Sequence, residues 1–199
     1  MPAPGSGDPL AAVLAAGLAR RFGGGKLDTP VAGKPLGQWA LDKVLDAGLE
    51  PGVIVTGPGA PRSAQAATDW QLLTNPVPED GLGTSVATAC RHARDLGRDL
   101  LLLLADMPLV SVAHIQALVR VGGNAATLYP DGRAGVPALI GHEHLDPFCD
   151  LAGERGAGPL LARLDGLQRL GPPPDMLADV DRPQDLARVE RLLQARGSA

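Results

Sequence analysis

Aromatic side chains are scarce in this sequence: Phe, Trp and Tyr together make up 3% of its 199 residues. A core built almost without them must be filled by Leu, Val and Ala, which raise the hydrophobic share to 45% against 20% charged residues, a globular balance. Cysteine is nearly missing too. Cys90 and Cys149 stand far apart and match no metal-ligand or redox spacing, so both read as core-packing residues. No basic tract exists, and a formal net charge of -4 argues against a protein that grips long nucleic acid by its backbone. No apolar run approaches the ~20 residues that span a bilayer, and the Pro- and Gly-rich start lacks the basic region of a secretory signal. The expectation is a cytoplasmic protein with no membrane or nucleic-acid partner. Its length suits a single domain over residues 1–199, with residues 1–9 flexible.

Short apolar runs alternate with longer amphipathic stretches. Strands are expected at 11–15, 52–56, 70–74, 99–104 and 125–129, with weaker ones at 136–140 and 177–180. Helices are expected between them. The stretch 36–47 places Leu36, Ala40, Val44 and Ala47 on one face before Gly48, and 84–96 places Val86, Cys90, Ala93 and Leu96 on one face before Gly97. Ser111 is placed to cap a helix that buries Ile115, Leu118 and Val119, and Pro183 suits the first turn of a last helix carrying Leu186, Val189 and Leu193. This alternation predicts an α/β fold, a single doubly wound Rossmann-like domain with a mostly parallel sheet. In such a sheet a ligand sits beyond the carboxyl ends of the strands, which directs attention to the loops after the first and fourth strands.

The first of these loops follows Leu14, Ala15 and Ala16. From Gly17 to Lys26 it carries four glycines (Gly17, Gly23, Gly24, Gly25) together with Arg20, Arg21 and Lys26. Glycines permit left-handed backbone angles and close approach of N–H groups to phosphate oxygens, while Arg and Lys add charge where a triphosphate carries most of its own. A mobile surface loop with scattered basic residues would look similar. Against that stands the rarity of lysine: of 18 basic residues only Lys26, Lys34 and Lys43 are lysines, so Lys26 after three glycines suggests a need for a compact point charge. The spacing matches neither the Walker A loop nor the dinucleotide fingerprint.

With these residues in view, the chain resembles the molybdenum cofactor cytidylyltransferase branch of the MobA-like nucleotidyltransferases. Leu14-Ala15-Ala16-Gly17 stands where that family has its strand-to-loop LAAG, and Arg21, Gly23 and Lys26 fill its Arg, Gly and Lys places. Gly33-Lys34-Pro35-Leu36 matches its next motif. Asn75, Pro76, Gly81, Thr84 and Ser85 resemble its base- and ribose-proximal segment, and Asp106-Met107-Pro108 its metal-binding turn. Gly135-Val136-Pro137 and the run from Asp179 to Leu186 resemble its later signatures. Departures are Ala19 where Ser is common, Phe22 where Met is common, and Glu154-Arg155-Gly156 where Asp before Gly is usual. The resemblance implies a nucleotidyltransferase that uses CTP and Mg²⁺ to convert molybdopterin, or its molybdenum form, to the cytosine dinucleotide cofactor. An apo-molybdoenzyme or its chaperone would be the partner that receives the product.

Asp106 also follows an apolar run and so should emerge at a strand's carboxyl end, where a carboxylate can hold Mg²⁺ against phosphate oxygens; a simple turn Asp is the alternative. Asp181 reads equally as a second metal ligand or as a helix cap before Pro183. His142 and His144 lie two apart and read as surface residues. The expected nucleotide-binding set is Leu14, Ala15, Ala16, Gly17, Arg21, Lys26, Asn75, Gly81 and Ser85, with Arg21, Lys26 and Asp106 catalytic. A phosphate monoester is already mostly dianionic near neutral pH, so attack on a triphosphate requires no general base, which accounts for a sequence without a Ser-His-Asp or Cys-His constellation. Two further readings remain at this point: transfer to another phosphorylated acceptor, such as a sugar phosphate or phospholactate, or with GTP; and a non-enzymatic nucleotide or cofactor carrier.

Overall fold

The structure, a computed structural model, describes residues 7–197. The expectation of flexibility for 1–9 therefore falls mostly outside the described residues. The guanidinium of Arg98 donates to the carbonyl oxygens of Asp8 (2.8 Å) and Pro9 (3.2 Å), which ties the chain down before the first strand.

In chain order the elements are β1 (Leu10–Leu14), the two-residue strands β2 (Pro30–Val31) and β3 (Lys34–Pro35), α1 (Leu36–Asp46), β4 (Val53–Thr56), α2 (Arg62–Ala66), β5 (Gln71–Thr74), α3 (Leu82–Asp95), β6 (Leu100–Leu104), α4 (Val112–Val121), β7 (Ala125–Leu128), β8 (Ala134–Ile140), α5 (Asp146–Cys149), α6 (Gly158–Leu161), β9 (Gln168–Leu170) and α7 (Pro183–Gly197). Seven strands form the main sheet in the order β5-β4-β1-β6-β8-β7-β9. All run parallel except β8, which pairs antiparallel with both β6 and β7. The expected α/β class with a mostly parallel sheet is what the chain forms.

Both faces of the sheet are covered, which is why β1 and β6 read as unbroken apolar runs rather than alternating ones. Ala11, Val13, Leu101 and Leu103 face one core with Leu36, Ala40 and Val44 of α1, Ile115 and Leu118 of α4, and Val189 of α7. Leu10, Ala12, Leu100 and Leu102 face the other, with Val86 and Cys90 of α3, Phe148 of α5 and Leu161 of α6. Both cysteines are buried here as packing residues. The two inner strands meet with small side chains on one and leucines on the other, the solution open to a core so short of aromatics.

Two sequence expectations need correction. Residues 177–180 form no strand: a 3-10 turn covers Pro174–Leu177, and Val180 then makes a single backbone bond to the Asp106 carbonyl, so its burial came from a tether and not from a ladder. The β2–β3 hairpin and β9 were not foreseen, because strands of two or three residues leave too little periodicity to read. The helix caps follow the sequence: the Ser111 hydroxyl accepts from the His114 amide, and α1 and α3 end next to Gly48 and Gly97 at positive φ.

On α4, the His114 ring is buried with Nε2 2.9 Å from the Thr127 hydroxyl, which itself donates to the Pro137 carbonyl at 2.7 Å. Thr127 has spent its proton, so its oxygen accepts from a neutral His114. Burial holds the imidazole pKa below its ordinary value. An unfolded chain takes up this proton near pH 6.5 while the folded one resists, so the contribution is complete above about pH 6.5 and lost as pH falls through the lower folded value. Urea midpoints should therefore fall between pH 7 and pH 5, and His114→Gln should show a shallower slope over the same interval.

Candidate active site

A cavity of ≈ 650 Å³ opens at the carboxyl ends of β1 and β6. The two strands stand side by side with Leu14 opposite Leu104, and both leucines line it. This is the point at which the strand order reverses, from β1 outward to β4 and β5 on one side and to β6 on the other. Peptides that diverge there leave a crevice, the place an open α/β sheet offers to a ligand.

The glycine-rich loop forms one wall. Ala19 takes a positive φ of 48°, and the amides of Phe22, Gly23 and Gly24 all donate to its carbonyl at 3.0–3.3 Å. The loop is thus wound on itself rather than loose. Those three amides, two of them from glycines, are thus turned inward. Gly23, Gly24 and Gly25 all have positive φ and swing the chain back toward the sheet, where Lys26 begins a 3-10 turn. That turn is anchored by Asp28, whose carboxylate accepts from the amides of Ser63 (2.9 Å) and Arg62 (3.0 Å). Burial alone would raise the Asp28 pKa, but these amides outweigh it and hold the carboxyl below its usual value.

Charge is concentrated at one end. The Lys26 side chain is nine-tenths buried, and its ammonium lies 2.6 Å from Asp106 Oδ2 and 4.0 Å from Asp181 Oδ1. Arg21, mostly exposed, reaches the other oxygen of Asp181 at 3.1 Å. Asp106 comes from the turn after β6 and Asp181 from the residues before α7; the Val180 amide, donating to the Asp106 carbonyl at 3.1 Å, holds the two segments together. Asp181 does not cap α7: its carboxylate is engaged by Arg21 and Lys26, while the amides of Asp181 (3.0 Å) and Arg182 (2.7 Å) donate to Asp185. Asp181 is left facing the cavity. Nearby, Asp179 is raised above the usual carboxylate range by the protein packed around it and by the negative charges of Asp181 and Asp106. The same two causes, burial and then Asp179 and Asp106, push the Tyr129 hydroxyl up to about 12.

Among the described residues, no three or more His, Cys, Asp or Glu side chains gather as a complete metal cage. Two carboxylates from separate elements do converge on one cationic group, and Mg²⁺ is bound in this manner, by one or two carboxylates with substrate oxygens and water completing the shell. The donor set fits a hard divalent cation.

The opposite wall is neutral at its base: Pro78, Gly81, Leu82 and Ser85, with the carboxylates of Glu79 and Glu154 at the rim. Leu14, Ala15, Ala16, Gly17, Arg21, Lys26, Gly81, Ser85, Asp106 and Asp181, all singled out from the sequence, line the cavity; so do Arg20, Leu18 and Leu27. Asn75 does not. It is buried behind the lining, where its amide nitrogen donates to the hydroxyls of Thr84 (2.8 Å) and Ser85 (3.0 Å) and its oxygen accepts from the Val77 amide (3.1 Å). Its place is thus a support for the start of α3, because a side chain with three internal hydrogen bonds has little left to offer a ligand. Glu79 and Glu154 were missed as cavity residues, yet a signal was present in Gly81 and Gly83. A Cβ at Gly81 would stand 2.5 Å from the Gly153 backbone and one at Gly83 2.8 Å from that of Ala152, so the paired glycines exist to let the 152–154 segment lie against α3. The Gly83 amide donates to the Gly153 carbonyl at 3.0 Å and fixes that contact.

A crevice at the switch point of a doubly wound sheet, with basic residues and paired carboxylates at one end, defines a phosphate-handling α/β protein of nucleotidyltransferase type. A family model described as the MobA-like NTP transferase domain matches residues 11–168, and the chain belongs to that family of nucleotidyltransferases, which bind nucleoside triphosphates. The purine catabolism protein PucB of Bacillus subtilis is 29% identical over 202 residues, covering 90% of this chain and 95% of that protein. The bifunctional protein GlmU of Anaeromyxobacter dehalogenans is 36% identical over 126 residues, 59% of this chain but only 26% of GlmU. Among solved structures, a nucleotidyl transferase from Methanothermobacter thermautotroptrophicus superposes with TM-score 0.78 at 23% identity, covering 96% of this chain and 100% of that one. Rv0371c of Mycobacterium tuberculosis in complex with manganese superposes with TM-score 0.69 at 23% identity, covering 92% and 97%.

The glycine contact gives a direct test. Gly81→Ala would force a methyl into the Gly153 backbone at a residue whose φ is already +97°, and should destabilise the fold by about 1–3 kcal/mol, as overpacking does. A lowered urea midpoint with unchanged slope is the expected result.

Proposed function

We propose that this chain transfers CMP from CTP to the terminal phosphate of a molybdopterin-type acceptor and releases pyrophosphate, passing the product to an apo-molybdoenzyme or its chaperone. The observation that carries the reading is one cavity that joins Ala16 to the Lys26–Asp106–Asp181 cluster. Its volume, ≈ 650 Å³, lies within the range of small-ligand sites.

Asp106 and Asp181 are the residues that would hold Mg²⁺, which supplies neutralisation of triphosphate charge. Arg21 and Lys26 approach the β- and γ-phosphates from the loop and stabilise the charge that develops on the departing pyrophosphate. An oxygen of the acceptor phosphate forms the new bond to the α-phosphorus as the bond from that phosphorus to the α,β-bridging oxygen breaks. The dianionic acceptor has no proton to give up. What the protein contributes is position and electrostatics. Ala16 is buried at the cavity wall, and its carbonyl and the Pro78 ring both lie within about 4 Å of where a side chain on Gly57 would begin, so the loop and the Pro78 turn close on each other here. Glycine at position 16 would leave the base the room that the Ala16 methyl takes, so alanine favours a pyrimidine over a purine.

Asp106→Ala should lower turnover by a factor of order 10² to 10³, as loss of a preorganised electrostatic group does, with the fold retained by circular dichroism. Arg21→Ala and Lys26→Ala should each cost a few kcal/mol in kcat/KM, and Arg20→Ala, with no ion pair among the described residues, much less. A folded Asp106→Ala enzyme with full activity would contradict the assignment.

Base choice is tested by competition between CTP and GTP with the same acceptor. One methyl discriminates by about 1–3 kcal/mol, so Ala16→Gly should raise kcat/KM for GTP relative to CTP roughly tenfold without reversing the preference. A wild-type enzyme that prefers GTP would overturn the cytidylyl reading and leave nucleotidyl transfer standing.

A further inference from the structure

The charged end of the cavity is already neutralised from within. One oxygen of Asp106 is engaged by the Lys26 ammonium at 2.6 Å; Asp181 has one oxygen 4.0 Å from the same ammonium and the other 3.1 Å from Arg21. Lys26 is no freely swinging surface lysine, since its side chain is 10% exposed and its backbone is fixed by the 3-10 turn that Asp28 anchors. A divalent cation entering this arrangement meets a buried positive charge occupying the space between the carboxylates it would use.

We propose that Lys26 acts as an internal counter-ion that keeps divalent cations off Asp106 and Asp181 until a nucleoside triphosphate arrives. This rests on the reading of those carboxylates as facing a divalent cation. A triphosphate brings several negative charges to the loop that carries Arg21 and Lys26. Phosphate oxygens then compete with Asp106 for the ammonium, Lys26 shifts its bonds to them, and the freed carboxylate oxygens become available to the cation that the nucleotide itself carries. Metal and nucleotide binding are thereby coupled, and by linkage each must tighten the other by the same factor. Between turnovers the ion pair also spares the protein two unpaired carboxylates at the end of the cavity.

Mn²⁺ titration followed by electron paramagnetic resonance, on the full chain with no nucleotide present, reads this directly. Wild type should bind Mn²⁺ weakly. Lys26→Met, which keeps the aliphatic stem and removes the charge, should bind it at least about tenfold tighter, and Lys26→Gln should do the same while still able to donate to Asp106. Adding Asp106→Asn to either variant should cancel the gain. Equal Mn²⁺ affinity in wild type and both folded Lys26 variants, each still sensitive to Asp106→Asn, would overturn the counter-ion role and leave the metal assignment intact. Failure of every form to bind Mn²⁺ at Asp106, even with an α,β-methylene analogue of CTP present, would overturn both. The Gln variant guards against a Met variant that does not fold, because its amide can satisfy the oxygen that Lys26 leaves.

Discussion

The contact between Lys26 and Asp106 joins two parts of the chain: the glycine-rich loop after the first strand and the turn after the strand beside it. Eighty residues separate them in sequence. A buried ammonium is tolerable only when paired, so the loop must close onto this turn for the charge to be accommodated. The features around it serve that closure. Three glycines at positive φ turn the chain back, Asp28 pins the far end of the loop to α2, and Val180 ties the Asp181 segment to the carbonyl of Asp106 itself.

The parallel sheet explains why such a constellation arises here. β1 and β6 are neighbours, yet the chain leads from them to strands on opposite sides of the pair, β4 and β7, with α1 and α4 packed on one face, so their carboxyl ends carry loops that diverge and leave a crevice. A cavity so formed is neutral where the strands end and charged where the loops arrive. That polarity suits a nucleotide, with an uncharged base at one end and phosphates at the other. The second half of the domain contributes the outer wall through the 152–154 segment, admitted only because Gly81 and Gly83 have no side chains to exclude it.

Much of this was legible beforehand, and the reasons differ by element. β1, β6 and the helices α1, α3, α4 and α7 were visible because burial imposes periodicity on sequence, and long elements repeat the signal enough to be read. The hairpin of β2 and β3 and the strand β9 were not, since two or three residues carry no period. The 177–180 run misled because Val180 is as buried as a strand residue while bonding once, to a loop. At the candidate site, Lys26 and Asp106 could be picked out from residue type and position, whereas Arg21 was chosen over Arg20 only through the family resemblance. Asn75 could be named but not placed: an amide near a helix start reads the same whether it faces a ligand or, as here, the hydroxyls of Thr84 and Ser85.

The sequence by itself determined the α/β class, because that follows from local pattern and composition, and together with the family resemblance it pointed to the loops after the first and fourth long strands and to the charged residues they carry. Only the tertiary structure decided how those groups meet. Whether Asp181 caps a helix or faces the cavity depended on Arg21 and Lys26 reaching its carboxylate, and which loop amides are engaged depended on the Ala19 carbonyl claiming those of Phe22, Gly23 and Gly24. In both cases a group had more than one possible partner. Such a competition is settled by distance and angle in the folded chain, which no spacing of residue types encodes.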